Sequence, residues 1–225
     1  MAINLSNRLT ACLKAVSPYQ TLADVGTDHG YLPCAGILSQ QLTKAIAADI
    51  GVGPLTAAKH QISRYGLTEQ IETRLGPGVS VLKPSEVEAV VIAGMGGKLI
   101  ASILTDDVAL TRSFKRLVLQ PNIDADLVRR CTKEQGLHIV SEIIIHEDEK
   151  FYEIIVVEPK ETKQQLSELD LLFGPYLRQA QSDVFKAKWQ KEVNKNNEIL
   201  NQLPAEHPRA VAILNRQLVL KDVLA

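Results

Sequence analysis

The sequence predicts an α/β fold: a mainly parallel, Rossmann-like sheet followed by a separate helical segment. Three observations carry that prediction. Short apolar runs recur between residues 21 and 120, and most end in a carboxylate or a glycine-bearing turn that leads into a helix-like stretch. Two longer strand-like runs, 137–146 and 151–158, are then joined only by Glu147-Asp148-Glu149-Lys150, which suits an antiparallel hairpin. Beyond Pro159 the composition turns to Gln, Lys, Glu, Asn and Leu with helical spacing.

The elements follow in order. Residues 4–16 read as a helix, because Leu5, Leu9, Cys12 or Leu13, and Val16 share one face. Asn7 and Arg8 lie largely outside that face. The first strand is 21–25, followed by a helix over 32–42. The second strand, 45–49, closes on an acid. Gly53-Pro54 starts a helix to about Tyr65, and Gly66 stops it. The third strand is 71–75 and ends in Gly76-Pro77-Gly78. The fourth, 89–93, is a continuous apolar run, as expected for a strand covered on both faces. It ends in Gly94-Met95-Gly96-Gly97, and a helix continues to Leu104. The fifth is 116–120, ending in Pro121-Asn122, with a helix over 124–135 stopped by Gly136.

A dinucleotide-binding fold normally continues with parallel units. A β-α series that instead closes in an antiparallel hairpin is the order of a seven-stranded class I methyltransferase sheet. Past it, 176–200 reads as one long helix with Tyr176, Ala180, Val184, Ala187, Val193 and Leu200 on one side. Pro204 and Pro208 bracket a break, and 209–223 forms a second helix with Val211, Leu214, Leu218 and Val223 apolar. Together they make an antiparallel helical hairpin. The expected domains are 1–159 and 160–225. Lys186, Lys188, Lys191 and Lys195 recur along the long helix, which suits a solvated face or an RNA contact.

Composition limits the function. Apolar residues make up 45%, enough for a substantial core, and no run approaches the ~20 residues that a membrane span needs. The N-terminus carries no signal-peptide pattern. Cys12, Cys34 and Cys131 are far apart and read as free thiols of a reducing cytoplasm. The five histidines show no metal-ligand spacing, so no metal is expected. The net charge is −1, split as −3 over residues 1–159 and +2 over 160–225. That asymmetry is too small to identify a partner, so any polyanion site is a local patch.

The turn after the first strand reads Asp24-Val25-Gly26-Thr27-Asp28-His29-Gly30, not G-x-G-x-x-G. Asp28 sits where a second glycine would. A carboxylate there repels a pyrophosphate but suits a ligand with a positive centre, such as S-adenosyl-L-methionine. The same turn offers backbone N–H groups for a carboxylate tail. Asp49, about 25 residues beyond Asp24, is placed to accept ribose hydroxyls, and Ile50 to cover an adenine ring. Gly76, Pro77 and Gly78 fall beside the adenine edge; Ala93, Gly94 and Met95 fall beside the reactive methyl. Each position has a plain alternative as a cap or turn, but their joint occurrence at successive strand ends favours a cofactor crevice.

The chain also resembles one bacterial family. Asn7-Arg8-Leu9, the run from Asp24 to Pro33, Ala93-Gly94-Met95-Gly96-Gly97, Leu119-Gln120-Pro121-Asn122 and Lys150-Phe151-Tyr152-Glu153 occur in the order seen in the TrmK family, the tRNA (adenine(22)-N1)-methyltransferases. The resemblance covers nearly the whole chain. It implies methyl transfer from S-adenosylmethionine to N1 of an adenine in tRNA. Pro77 departs from it, standing where an acidic or amide residue is expected between the two glycines.

For that chemistry the candidate catalytic residues are Asp28, His29 and Tyr31. Asp28 suits either the adenine N6 amine or the cofactor ammonium; Tyr31 suits base stacking or burial beneath the turn. Gly96 and Asn122 are the substrate-side candidates, and Arg8, Arg129 and Arg130 the candidate phosphate contacts. The place of an N-P-P-Y motif holds Gly94-Met95-Gly96-Gly97, which argues against exocyclic-amine chemistry. A monomer is expected. The rival readings are a small-molecule methyltransferase and a non-catalytic nucleotide- or RNA-binding module.

Overall fold

The computed structural model describes residues 3–204 and 206–224, in two compact units, Met1–Gly174 and Pro175–Ala225. The first contains seven strands: β1 (Thr21–Val25), β2 (Lys44–Asp49), β3 (Ile71–Leu75), β4 (Ala89–Gly96), β5 (Arg116–Ile123), β6 (Leu137–Glu147) and β7 (Lys150–Pro159). Their order in the sheet is β3-β2-β1-β4-β5-β7-β6. The first five are parallel; β7 runs antiparallel to β5, and β6 to β7. After β3 the chain returns to the other side of β1, so the order reverses between β1 and β4. In an open α/β sheet that switch point opens a crevice outside the strand carboxyl ends.

Alternation along the strands divides the core in two. Val90 and Ile92 face one side with Ala23, Leu117 and Leu119; Ala89 and Val91 face the other with Leu22, Ala47 and Val118. Helices α1 (Asn7–Val16), α2 (Tyr31–Leu38) and α3 (Val52–Arg64) cover the second face through Cys12, Leu13, Leu32 and Ile62. Helices α4 (Gly97–Asp106) and α6 (Ala125–Glu134) cover the first through Ile100, Leu104 and Val128, with the short α5 (Val108–Thr111) between them. All three cysteines are buried and unbridged, and burial pushes the Cys12 thiol up to about 12.

The structure departs from the sequence expectations in several places. Helix α2 ends at Leu38, where Gln40 turns at φ 60. Leu42 then packs over Gly36, where an added Cβ would lie 2.4 Å from its Cδ1. The β6–β7 turn is tighter than expected: Asp148 and Glu149, at φ 49 and 60, form the two-residue turn that matches strand twist. The first compact unit runs to Gly174, past the boundary expected at 159. Leu166, Leu171 and Phe173, on and before α7 (Glu168–Phe173), are buried, and Leu166 and Leu171 join the sheet's core.

In the second unit, the expected long helix is broken into α8 (Pro175–Ala180) and α9 (Asp183–Leu200). Gln181 at φ 46 makes the break, and the Ser182 side chain caps α9 by accepting from the Phe185 N–H. The buried positions are Leu177, Phe185 and Trp189, not the expected Tyr176–Leu200 face, where Tyr176, Ala180 and Ala187 are exposed. Helix α10 (Pro208–Leu224) pairs antiparallel with α9. Gln217 Nε2 donates to Asn197 Oδ1 at 2.7 Å, and Arg216 bridges Glu192 at 2.8 Å. Its buried residues are Ala210, Gln217, Leu220 and Val223, leaving Val211, Leu214 and Leu218 exposed. No helix among the described residues is long and apolar enough to cross a membrane.

Candidate functional site

A cavity of about 560 Å³ opens at the carboxyl ends of the parallel strands. Asp24 and Gly26 come from the end of β1, Asp49 and Ile50 from β2, Gly76, Pro77 and Gly78 from β3, and Ala93, Gly94 and Met95 from β4. Asp28 and Tyr31 line it from the turn into α2, and Arg8 and Leu9 from α1. The sequence reading missed Thr27, Leu99, Ser102, Ile103 and Asp106. Four of these lie on α4, whose available signal was an amphipathic helix directly after the Gly94–Gly97 turn. Gly26, at φ 78, has Met95 pressed against its bare Cα: an added Cβ would lie 2.2 Å from Met95 Cε. Such close approach is what a glycine permits.

The cavity is strongly acidic at its base. Asp24 is buried and accepts the Thr27 hydroxyl at 2.6 Å. Burial pushes its carboxyl up to about 6; the Thr27 hydrogen bond opposes the shift, and the charge of Asp49 adds to it. Asp49 Oδ1 accepts the Gly51 N–H at 2.8 Å, and its Oδ2 accepts the Asp28 N–H at 3.3 Å. Two bonds fix that carboxylate and leave it lone pairs for a ligand. Asp28 stands in the left-handed region at φ 55, largely exposed, with His29 Nε2 3.5 Å away. His29 lies outside the cavity wall and packs its ring 5.5 Å from that of Tyr31.

The backbone donors expected for a carboxylate tail are engaged elsewhere. Gly26 N–H and Thr27 N–H both donate to Ala48 O, at 2.8 and 3.0 Å, and Gly30 N–H donates to Thr27 O. Gly30 does not line the cavity either. It precedes α2 at φ 69 and faces Ala58, whose Cβ would lie 3.2 Å from an added Cβ. Its role is helix packing. The group suited to an anion is instead Arg8, a cation in the cavity wall. Its Nη1 donates to Gln120 Oε1 at 2.6 Å, and its guanidinium lies 5.5 Å from the Tyr152 ring centroid. Glu147 holds the start of α1, accepting Asn7 N–H at 2.6 Å and Arg8 N–H at 3.3 Å. Glu147 and Tyr152 come from β6 and β7, so the closing hairpin fixes the cation that lines the cavity.

Gln120, fully buried in β5 directly after the apolar run Leu117–Leu119, is the hub. Its Oε1 accepts the Gly94 N–H at 3.0 Å as well as Arg8, and its Nε2 donates to Pro121 O and Asn122 Oδ1. Asn122 Nδ2 donates to Gly94 O at 2.7 Å. Both backbone polar groups of Gly94, its N–H and its carbonyl, are therefore held by β5 side chains. Asn122 and Gly96 are not in the cavity wall; they lie beyond it on the β5 side, with Gly96 beside exposed Ile123.

One expected phosphate contact is corrected. Arg129 is fully buried, with Nε donating to Glu142 at 2.7 Å and Nη2 to Glu153. An arginine sealed between two carboxylates does not meet a polynucleotide. Arg130 pairs with Glu168 at 2.7 Å, in a separate depression formed with Lys133, Lys163 and Gln164. Among the described residues no group of three His, Cys, Asp or Glu side chains is arranged to hold a metal ion.

A family model described as tRNA (adenine(22)-N(1))-methyltransferase, TrmK, matches residues 22–222. A Bacillus subtilis protein named tRNA (adenine(22)-N(1))-methyltransferase is 36% identical over 205 residues, covering 89% of this chain and 86% of that one. A Streptococcus pneumoniae protein solved with S-adenosyl-L-methionine is 37% identical with a TM-score of 0.90, covering 99% of this chain and all of that one. The M. capricolum TrmK structure with S-adenosyl-homocysteine is 28% identical with a TM-score of 0.87, covering 98% and 99%.

Proposed function

The chain belongs to the tRNA (adenine(22)-N(1))-methyltransferase family, and from that we propose that it methylates N1 of adenine 22 in tRNA with S-adenosylmethionine as donor. The observation that carries the reading is the charge pattern of one cavity: Asp24, Asp49 and Asp28 beside a single arginine, Arg8, at the switch point of the sheet. A ligand with a ribose diol, an ammonium, a sulfonium and a carboxylate matches that set. Asp49 is assigned to the ribose, Asp24 to the ammonium and Arg8 to the carboxylate. Arg8 thus moves from the RNA side, where the sequence alone put it, to the cofactor side. Ile50, Gly76 and Gly78 fit the adenine ring, and Pro77 lines the cavity where a polar side chain was expected.

Bound S-adenosylmethionine supplies an electrophilic methyl group. The protein's part is to position the base and exclude water. N1 carries a lone pair at neutral pH, so no strong base is needed to expose it. The methylated ring is cationic, and Asp28 at the mouth offers a carboxylate to that charge. Tyr31, 42% exposed, offers a face on which a flipped-out base stacks. His29 supports this pair from outside the cavity. The protein acts in the cytoplasm, as a monomer and without a metal, and the second unit meets the tRNA through exposed Lys186, Lys191 and Lys195.

The test is incubation of the purified protein with S-adenosylmethionine and unmodified tRNA, then nucleoside analysis by mass spectrometry. New 1-methyladenosine that maps to position 22 is the expected product. Cofactor binding without any methylated nucleoside would refute the substrate assignment.

A further inference from the structure

The acceptor base must reach the cavity from outside the residues that hold the donor. Along the sheet the candidate cofactor groups run from β3 through β2 and β1 to β4, and the next strand is β5. The polar side chain at its exposed end is Asn122. Its orientation is fixed from two directions. Oδ1 accepts from the buried Gln120 amide at 3.2 Å, and Nδ2 donates to Gly94 O at 2.7 Å. A primary amide has two N–H donors and two oxygen lone pairs. One of each is used, so the exposed Asn122 keeps one N–H and one lone pair for a ligand.

We infer that Asn122 reads the N6/N7 edge of the target adenine, its Oδ1 accepting from the N6 amine and its Nδ2 donating to N7. This rests on the function proposed above. An asparagine amide matches that adenine edge bidentately. The pairing leaves N1, on the opposite side of the N6 amine, clear for methyl transfer. It also discriminates against guanine, which presents two acceptors, O6 and N7, along the same edge. The Gln120 and Gly94 contacts prevent the amide from turning over, and a turned amide would present the reverse pattern. Asn122 is therefore a specificity residue whose side chain is held by the loop that borders the reacting methyl.

The experiment pairs a base change with a side-chain change. Single-turnover methylation is measured for wild type and Asn122→Asp, each on tRNA bearing adenosine or 7-deazaadenosine at the target position. The aspartate keeps the shape and an acceptor but has no N–H. The analogue's altered N1 basicity acts equally on both proteins and cancels in the ratio of ratios. The expected result is a 7-deaza penalty about tenfold larger in wild type than in Asn122→Asp, the weight of one hydrogen bond. Asn122→Ala repeats the cycle and is expected to agree. Penalties equal within about twofold across the proteins would overturn the inference and leave Asn122 as a support for Gly94 alone. So would wild-type rates for Asn122→Asp on ordinary tRNA. A wild-type protein that forms no 1-methyladenosine on ordinary tRNA would overturn the proposed function, and this inference with it.

Discussion

Asp24→Asn should stabilise the free protein while abolishing its hold on the cofactor. The buried Asp24 carboxyl titrates near 6 instead of at its ordinary 3.8. That difference of about two pH units amounts to about 3 kcal/mol against the folded state at neutral pH. The sign follows from proton counting. Between pH 4 and 6 the folded chain holds the Asp24 proton more tightly than the unfolded chain, so stability falls as pH rises through that window. The cost is absent below about 4 and complete above about 6. Asparagine keeps the shape and an oxygen to accept the Thr27 hydroxyl, but carries no charge to desolvate. For a chain of this size the gain corresponds to a melting temperature about 6–12 °C higher at pH 7.5. By the same linkage it should shrink to about half at pH 5. Differential scanning calorimetry of both proteins at the two pH values, without ligand, measures it. Titration calorimetry should show the opposite trend for S-adenosylmethionine, whose ammonium loses its partner. A variant no more stable than wild type at pH 7.5, or equally stabilised at both pH values, would refute the argument. Stability given up to keep an ionised group ready for a ligand is the usual trade at a binding site.

Arg8→Gln should weaken S-adenosylmethionine binding about 10–100-fold, the range of a charge-assisted hydrogen bond, with little change in tRNA affinity. The reverse pattern in paired titrations would return Arg8 to the RNA. Gly26→Ala should lose about 1–2 kcal/mol from the left-handed backbone alone. It should also push Met95 into the cavity, so chemical denaturation and cofactor titration should both report a loss. Arg129→Ala leaves Glu142 and Glu153 buried without their shared cation and should cost about 3–5 kcal/mol in urea unfolding, with no selective effect on tRNA. A chain ending at Gly174 contains the whole core of the first unit and should still bind cofactor while losing tRNA methylation. Full methylation by that chain would remove the C-terminal helices from substrate binding.

The sequence by itself determined the strands and their order along the chain. The central buried parallel strands read as apolar runs, and most of the parallel strands are punctuated by a glycine or an acid at the end. Those same punctuation marks are the crevice residues, so Asp24, Asp49 and the Gly76–Gly78 and Gly94–Met95 turns were legible as a group. What a local pattern does not carry is which partner a side chain meets. Arg8 reads as a solvated residue on an N-terminal helix until β5 and the β6–β7 hairpin bring Gln120, Tyr152 and Glu147 around it, more than a hundred residues away in sequence. Arg129 reads as surface until Glu142 and Glu153 close over it. Helical periodicity ran through Gln181 because nothing in the side-chain pattern announces a left-handed turn at a glutamine. Gly30 and the donors of the Asp24–Gly30 turn looked available to a ligand because only the tertiary fold places Ala58 and the Ala48 carbonyl against them. Local polarity and period are set by neighbours along the chain. The pairing of charges and amides is set by strand order, and that only the folded sheet decides.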